Sequence, residues 1–351
     1  MGSFADLFCG AGGFSLGFLR AGFRHLWGLD RDRDACRTYE ANIGRAILAD
    51  VRSADFASVP RPDVLIGSPP CQGFSVAGRR ERDDPRNALV WAFVWAVACL
   101  RPKAFVMEEV PGIGYGEWQT FPQALRLAFE SMGYRTTLMT LNAADYGVPQ
   151  IRRRVFWAGC LDAPVAIPPP THSRGGLFGL KPWISVREAL GLGEGAETGR
   201  APDTRPPGNG TRLVMTRARS LYLKSNSDVT DVEGRPSRTL IANPLAVAEV
   251  PDAPARGAAG RGGESGELAP FPDGTGEWRR LTVEESLVLQ GFPRDYRLFG
   301  AKAKRYLLVG NAVPPPLGEA LARAVLEALR AGEAGKAREE AFQPELPLRW
   351  R

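Results

Sequence analysis

Apolar and polar positions divide the chain into three textures. Over the first 160 residues, short apolar runs alternate with longer amphipathic ones. Phe4–Phe8, Leu26–Asp30, Ile47–Asp50, Val64–Gly67, Phe105–Val110, Thr136–Leu141 and Val155–Gly159 have the length and apolar density of strands. Arg33–Ile43, Asn87–Leu100 and Pro122–Met132 read as helices. Such alternation predicts an α/β fold with a mostly parallel sheet and ligands at its C-terminal edge. From about Pro168 to Gly276, Pro and Gly are dense, strand signals are short and helical periodicity is weak. That stretch predicts a separate, irregular domain, with Gly191–Gly210 and Pro251–Gly266 as mobile loops. Regular pattern resumes at Arg279. Thr282 with Glu285 three residues later has the spacing of a capping box, and Pro314-Pro315-Pro316 opens a last helix running to about Ala331. Trp27, Trp91, Trp95 and His25 read as core positions, and His172 is assigned no role.

Composition narrows the function. The 351 residues allow two domains or one large one. With 44% hydrophobic and 24% charged residues, global disorder is excluded. The longest apolar run, Ala88–Leu100, has 13 residues, fewer than the roughly 20 that span a bilayer. No signal-peptide pattern opens the chain. Five cysteines without C-x-x-C spacing argue against a disulfide framework or zinc ribbon and for a reducing compartment. Two histidines exclude a multi-histidine metal site. A net charge of +6 permits nucleic acid as partner. Arginines are abundant, which fits a GC-rich genome as well as phosphate recognition. Arg205 to Arg238 holds seven basic residues against three acidic, interleaved with Asn209, Tyr222 and Asn226, a mixture that suits phosphates and base edges together.

Two clusters carry chemistry. In Asp6-Leu-Phe-Cys-Gly-Ala-Gly-Gly-Phe-Ser-Leu-Gly-Phe18 a strand ends, glycines follow and a helix begins, so backbone N–H groups can approach a nucleoside closely. The dinucleotide fingerprint G-x-G-x-x-G fails because Ser15 stands at its third glycine, which disfavours a dehydrogenase. Asp30, about 20 residues on, is placed for ribose hydroxyls, and Asp50 for an adenine amino group. In Gly67-Ser-Pro-Pro-Cys-Gln-Gly-Phe-Ser75, Cys71 follows two prolines on a loop just past a strand. That placement suits a rigid, exposed thiol nucleophile better than a buried structural cysteine.

With these motifs the sequence resembles the DNA (cytosine-5) methyltransferase family, in motif order, over most of residues 4–331. Phe8-x-Gly10-x-Gly12 resembles the family's S-adenosylmethionine loop, with Asp30 and Asp50 as its carboxylates. Pro70-Cys71-Gln72 resembles its nucleophile loop, and Glu108-Glu109-Val110 stands where it has Glu-Asn-Val. Gln150-Ile-Arg152-Arg-Arg154, Arg279-Arg-Leu-Thr282 with Gln290-Gly-Phe-Pro293, and Gly310-Asn-Ala-Val-Pro314 match its later motifs.

The resemblance implies a Rossmann-like methyltransferase sheet with a second, smaller, irregular target recognition domain. It divides the chain into a first catalytic part (1–165), the recognition domain (166–278), a second catalytic part (279–335) and a charged tail (336–351). It implies Cys71, Glu108, Arg152 and Arg154 as catalytic residues, Arg152 in support of Arg154. Phe8, Gly10, Gly12, Asp30, Asp50, Pro70, Asn311 and Val313 would hold S-adenosylmethionine, and no metal is expected. Gln72, Ser75, Arg79, Arg86, Arg238 and Thr239 would contact DNA, with Ser75–Arg86 as a closing loop. Glu109 departs from the family, and like-charge repulsion from it would raise the pKa of Glu108. The expected partner is double-stranded DNA, with a cognate restriction endonuclease possible and no membrane. A monomer in a prokaryotic cytoplasm, on the nucleoid when bound to DNA, is expected, because the chain carries no appended regulatory domain. The competing readings are a catalytically inactive DNA-binding relative and a transfer RNA cytosine-5 methyltransferase.

Overall fold

The computed structural model describes residues 2–70, 88–114, 120–191, 211–217, 230–231, 237–238, 245–251, 269–270 and 277–341; for Arg187, between 211 and 280, and beyond 335 it describes backbone only. The first strands are β1 (Ser3–Leu7), β2 (Arg24–Asp30), β3 (Ala46–Leu48), β4 (Val64–Gly67), β5 (Ala104–Glu109), β6 (Arg135–Asn142), β7 (Gln150–Ile151) and β8 (Arg153–Cys160). Seven of them form one sheet in the order β3-β2-β1-β4-β5-β8-β6. Neighbours from β3 through β5 are parallel, whereas β8 runs antiparallel to both β5 and β6. The strand order reverses between β1 and β4, so the crevice above their C-terminal ends is where a parallel sheet admits ligands. All seven sheet strands match predicted ones to within two residues at each end.

Apolar side chains leave the sheet on both faces, as parallel strands covered by helices require. On one face, Phe4, Ile66, Val106 and Phe156 pack with α1 (Gly13–Arg20) and α8 (Pro315–Ala341). On the other, Leu65, Phe105, Met107 and Trp157 pack with α3 (Ala88–Leu100) and α4 (Phe121–Ser131). Between β2 and β3 lies α2 (Arg33–Asn42), capped by the Asp32 carboxylate, which accepts the Ala35 N–H at 2.9 Å.

Trp27 is core, its indole N–H donating to the Pro60 carbonyl at 2.9 Å. Trp91 and Trp95 are not: they are 41% and 65% exposed. Because α3 is apolar all round, no periodicity in its sequence marks the face that turns outward. His25 is only partly buried. His172 lies in a two-strand ladder of β9 (His172–Ser173) with β10 (Lys181–Pro182) and bonds Thr171 through Nδ1 at 2.8 Å.

After the short α5 (Val186–Leu190), the described residues of the expected irregular region form regular structure instead. The strands are β11 (Thr211–Arg217), β12 (Thr230–Asp231), β13 (Ser237–Arg238), β14 (Leu245–Pro251), β15 (Ala269–Pro270) and β16 (Glu277–Arg280). All but β13 make a five-stranded antiparallel sheet, order β12-β11-β14-β16-β15. Long Pro- and Gly-rich connections hide this pattern in the sequence. Most of both expected loops, 192–210 and 252–268, lies outside the described residues.

The last three helices are α6 (Val283–Gln290), α7 (Lys302–Asn311) and α8. The capping box at α6 forms: Thr282 Oγ1 accepts the Glu285 N–H at 3.1 Å, and the Glu285 carboxylate accepts the Thr282 N–H at 2.8 Å. Helix α8 runs ten residues past the expected end at Ala331. Gly332 does not break it, and lies so close to Asp162 that a Cβ would come within 2.5 Å of that side chain.

Helices α1 and α8 touch through backbone. A Cβ at Gly17 would lie 2.5 Å from the Glu319 nitrogen and 2.5 Å from the Gly318 carbonyl carbon. Alanine would gain about 1 kcal/mol in helix propensity, but overpacking costs about 1–3 kcal/mol and the contact is with unyielding backbone. Gly17→Ala is therefore expected to lower the midpoint of thermal unfolding by several degrees; an unchanged or raised midpoint would show that the two helices can separate at little cost.

Candidate active site

Three motifs meet at the C-terminal edge of the sheet. After β1 the chain turns through Phe8, Gly10 and Gly12, all with positive φ (57°, 52° and 83°). Phe8 is a bulky residue in that region, a strained conformation of the kind that persists at functional sites. Gly12 and Gly13 are hemmed in: a Cβ on Gly12 would meet Ile43 at 2.8 Å, and one on Gly13 the Val313 carbonyl oxygen at 2.2 Å. Gly10 is open, since nothing lies nearer to its Cβ position than the Phe8 carbonyl oxygen at 3.8 Å. The loop is thus tight beneath and free above. Its floor is fixed by Asp30, whose carboxylate accepts the Gly10 N–H at 3.0 Å and the Asp32 N–H at 2.9 Å. Burial raises the pKa of Asp30. An open glycine over a carboxylate at the end of β2 fits a ligand carrying a ribose.

Asp50 is at the sheet edge, but both its oxygens are engaged by the Arg52 guanidinium, at 3.0 and 2.6 Å. Those bonds hold its pKa at about 2. Val313 arrives from the far part of the chain with its carbonyl oxygen against Gly13, while its side chain is buried in the core. Asn311 ends α7 and is exposed, and Pro70, just after β4, is half-buried.

Behind the loop lies a buried polar chain that sequence reasoning missed. Ser15 donates to the Asp6 carboxylate at 2.6 Å, its Oγ also contacts the Tyr39 hydroxyl at 2.6 Å, and Tyr39 contacts His25 Nε2 at 3.0 Å. Burial pushes Asp6 up to about 8 and pulls His25 down. Tyr296 closes the loop from the other side, donating to the Ala11 carbonyl at 2.5 Å. Lys304 pairs with Asp32, which caps α2. Its members stand 9, 24 and 14 residues apart on four different elements, so no periodic signal could have found this chain.

The second constellation joins β5 and β8. Glu108 is buried, and its Oε1 lies 2.9 Å from Arg154 Nε. Glu108 stands opposite Phe156 in the ladder, which puts Arg154 two residues towards the start of β8, at the same edge as the end of β5. Arg154 also donates to the Arg153 carbonyl at 2.7 Å. Arg152, expected in support of Arg154, faces inward. It is buried, and its guanidinium donates to the Gly310 carbonyl at 2.9 Å, tying the motif to the end of α7. Gln150 and Gln290, both buried, do the same work: Gln150 donates to the Gln290 carboxamide oxygen at 2.6 Å, and Gln290 to the Ala312 carbonyl at 2.5 Å. Burial first, then Glu108, raises the pKa of Glu109 itself well above its usual value.

Cys71, Gln72, Ser75, Arg79, Arg86 and Thr239 lie outside the described residues. Arg238 is described by backbone: β13 pairs with β7, setting Arg238 opposite Ile151, beside the motif that carries Arg152 and Arg154. Four other cysteines are free thiols. Burial pushes Cys9 well above its usual range and Cys36 to about 11, and also raises Cys99, so these three are poor nucleophiles at neutral pH. No cluster of potential metal ligands occurs among the described residues, and no described helix is long and apolar enough to cross a membrane.

The sequence profile of C-5 cytosine-specific DNA methylases matches residues 2–173 and 207–327. Type II methyltransferase M1.HphI of Haemophilus parahaemolyticus is 33% identical over 93% of this chain and 87% of its own length. Type II methyltransferase M.DdeI of Desulfomicrobium norvegicum is 31% identical over 91% and 87%. The crystal structure of a Spodoptera frugiperda DNMT2 mutant shares the fold, with a TM-score of 0.60 at 16% identity over 93% of this chain and all of that one.

Asp6 keeps its proton in the folded protein up to about pH 8 but would lose it near 3.8 when unfolded. The folded state therefore binds more protons between these values, and stability falls as pH rises through that window. Asp6→Asn can still accept from Ser15 but cannot titrate. Thermal melts at pH 5 and pH 8 should differ less in this variant than in the wild type, and an equal difference would mean Asp6 is ionised in the folded state.

Proposed function

The chain belongs to the C-5 cytosine-specific DNA methylase family, and from that premise we propose that it methylates C5 of a cytosine in a short duplex DNA sequence, with S-adenosylmethionine as donor. The observation that carries this reading is the Glu108–Arg154 pair at the sheet edge where β4 also ends, at Gly67, four positions before Cys71 in the sequence. C5 of cytosine is a poor nucleophile. The Cys71 thiolate bonds to C6, breaks the aromaticity and makes C5 enamine-like. Glu108 shares a proton at N3, and Arg154 donates to O2, so both absorb the charge that the thiolate pushes into the ring. When bound, S-adenosylmethionine supplies a methyl group on a sulfonium, and S-adenosylhomocysteine remains. C5 takes the methyl group, its proton passes to water, and the Cys71–C6 bond breaks to restore the ring.

The residues that fit the donor are Phe8, Gly10, Gly12 and Asp30, with Asp50, Pro70, Asn311 and Val313 around them. The target must leave the duplex, at a cost of a few kcal/mol of unstacking. Closure of Ser75–Arg86 would bring Gln72, Ser75, Arg79 and Arg86 against the DNA. Arg238 and Thr239 would read bases from the segment beside β7, which on this reading belongs to a separate target recognition domain. Similarity to Type II methyltransferases supports a restriction–modification setting, with a cognate endonuclease cutting unmethylated sites, and a cytoplasmic location. The inactive-relative reading rests on Glu109 and predicts DNA binding without an adduct on 5-fluorocytosine DNA.

The test is transfer of labelled methyl from S-adenosylmethionine to mixed-sequence duplex DNA, with transfer RNA as the competing substrate. Cys71→Ala is expected to abolish turnover and to form no denaturation-resistant adduct on 5-fluorocytosine DNA, which the wild type should form. Glu108→Gln should lose roughly 10²–10⁴ in kcat, the usual worth of a positioned proton donor. Full activity of Cys71→Ala would end the covalent mechanism, and transfer to RNA alone would move the substrate.

A further inference from the structure

We propose that Glu109 works as a neutral carboxylic acid, a positioning residue that keeps the Glu108–Arg154 pair in charge balance and whose ionisation switches the site off. The inference rests on the methyltransferase reading and deepens it at one residue.

Glu109 ends β5 and is 0% exposed. Its Oε2 accepts the Val110 N–H at 3.3 Å, and its Oε1 has no hydrogen-bond partner. One long backbone bond is too little to hold an ionised carboxylate away from water, which costs several kcal/mol. A neutral acid in the same place leaves one oxygen unsatisfied and no charge. Strand alternation turns Glu109 to the face of Phe105 and Met107, opposite to that of Val106. Trp157, paired with Met107 and packed in the same layer, carries a second buried polar atom without a partner, its indole Nε1. The layer thus offers a neutral donor and no countercharge.

Among the described residues, two charged groups act on Glu109. Glu108 on the same strand disfavours its ionisation, and Arg154 on β8 favours it. Nothing else among the described elements around it supplies a charge. Val64–Gly67, Pro111–Gly114 and Ala88–Leu100 contain no charged residue, with the Cys99 thiol the one titratable group, and α4 buries Leu125 and Phe129 there. Burial is the largest effect and acts with Glu108 against the Val110 N–H and Arg154, so the protonated form is favoured.

This matters for the chemistry because thiolate addition drives negative charge into the pyrimidine. With Glu109 neutral, Arg154 faces one carboxylate and the ring. With Glu109 ionised, a second negative charge would stand one residue from Glu108, and the ring's new charge would meet a net negative site.

The experiment compares kcat against pH for the wild type and Glu109→Gln, which holds the uncharged form at every pH. The wild type should lose about tenfold per pH unit above the alkaline midpoint of a single ionisation. Glu109→Gln should retain turnover where the wild type has lost it. A residue of structural importance alone would change stability and leave the two normalised profiles superimposed, and that result would overturn the proposal. Infrared difference spectra supply a readout independent of turnover: the wild type at neutral pH should show a protonated-carboxyl band that Glu109→Gln lacks. Absence of the band would also overturn the proposal, whatever the activity. If the wild type transfers no methyl group to any DNA, the reading of the site fails, while the infrared result still decides the state of Glu109.

Discussion

The contact between Glu108 and Arg154 depends on one strand running backwards. In a sheet of parallel strands, every strand begins at the edge far from the ligand crevice. Strand β8 is antiparallel to β5, so its first residues lie at the edge where β5 ends. A guanidinium at the start of one strand thereby meets a carboxylate near the end of another at 2.9 Å. A parallel β8 would carry Arg154 to the opposite edge of the sheet, some five residues of strand length away.

The same motif reaches across the chain. Gln150 and Arg152 precede Arg154 and are buried against residues 289–312, through Gln290, Ala312 and Gly310. Each link satisfies a buried polar group, and an unsatisfied one costs about 1–3 kcal/mol. The cofactor-type loop is anchored in parallel, with Gly13 against Val313 and Tyr296 bonded to Ala11. Residues that do no chemistry thus join the two halves of the site.

Much of the sheet was legible because buried strands are written as short apolar runs between turn residues, and Val64–Gly67 was read to the residue. The capping box at Thr282 was legible for a similar reason: its two partners are three positions apart. What escaped was non-local or non-periodic. The outward face of α3 has no polar mark, so Trp91 and Trp95 were misplaced. The antiparallel strands between 211 and 280 are far apart in the sequence. The role of Arg152 depends on a carbonyl 158 residues away. The motif that contains Glu109 was legible, but its burial, which raises its pKa, is not something a sequence states.

The contact of α1 with α8 has a consequence for synthesis. Gly17 lies against Gly318, so the early helix lacks this partner until about 300 further residues are made. At roughly 5–20 residues per second, that wait is on the order of 15–60 s. For that interval the nascent chain has its early loops but not the helix that braces them. A message broken before the codons of α8 would yield a fragment unable to mark a genome, which ties enzymatic competence to complete translation.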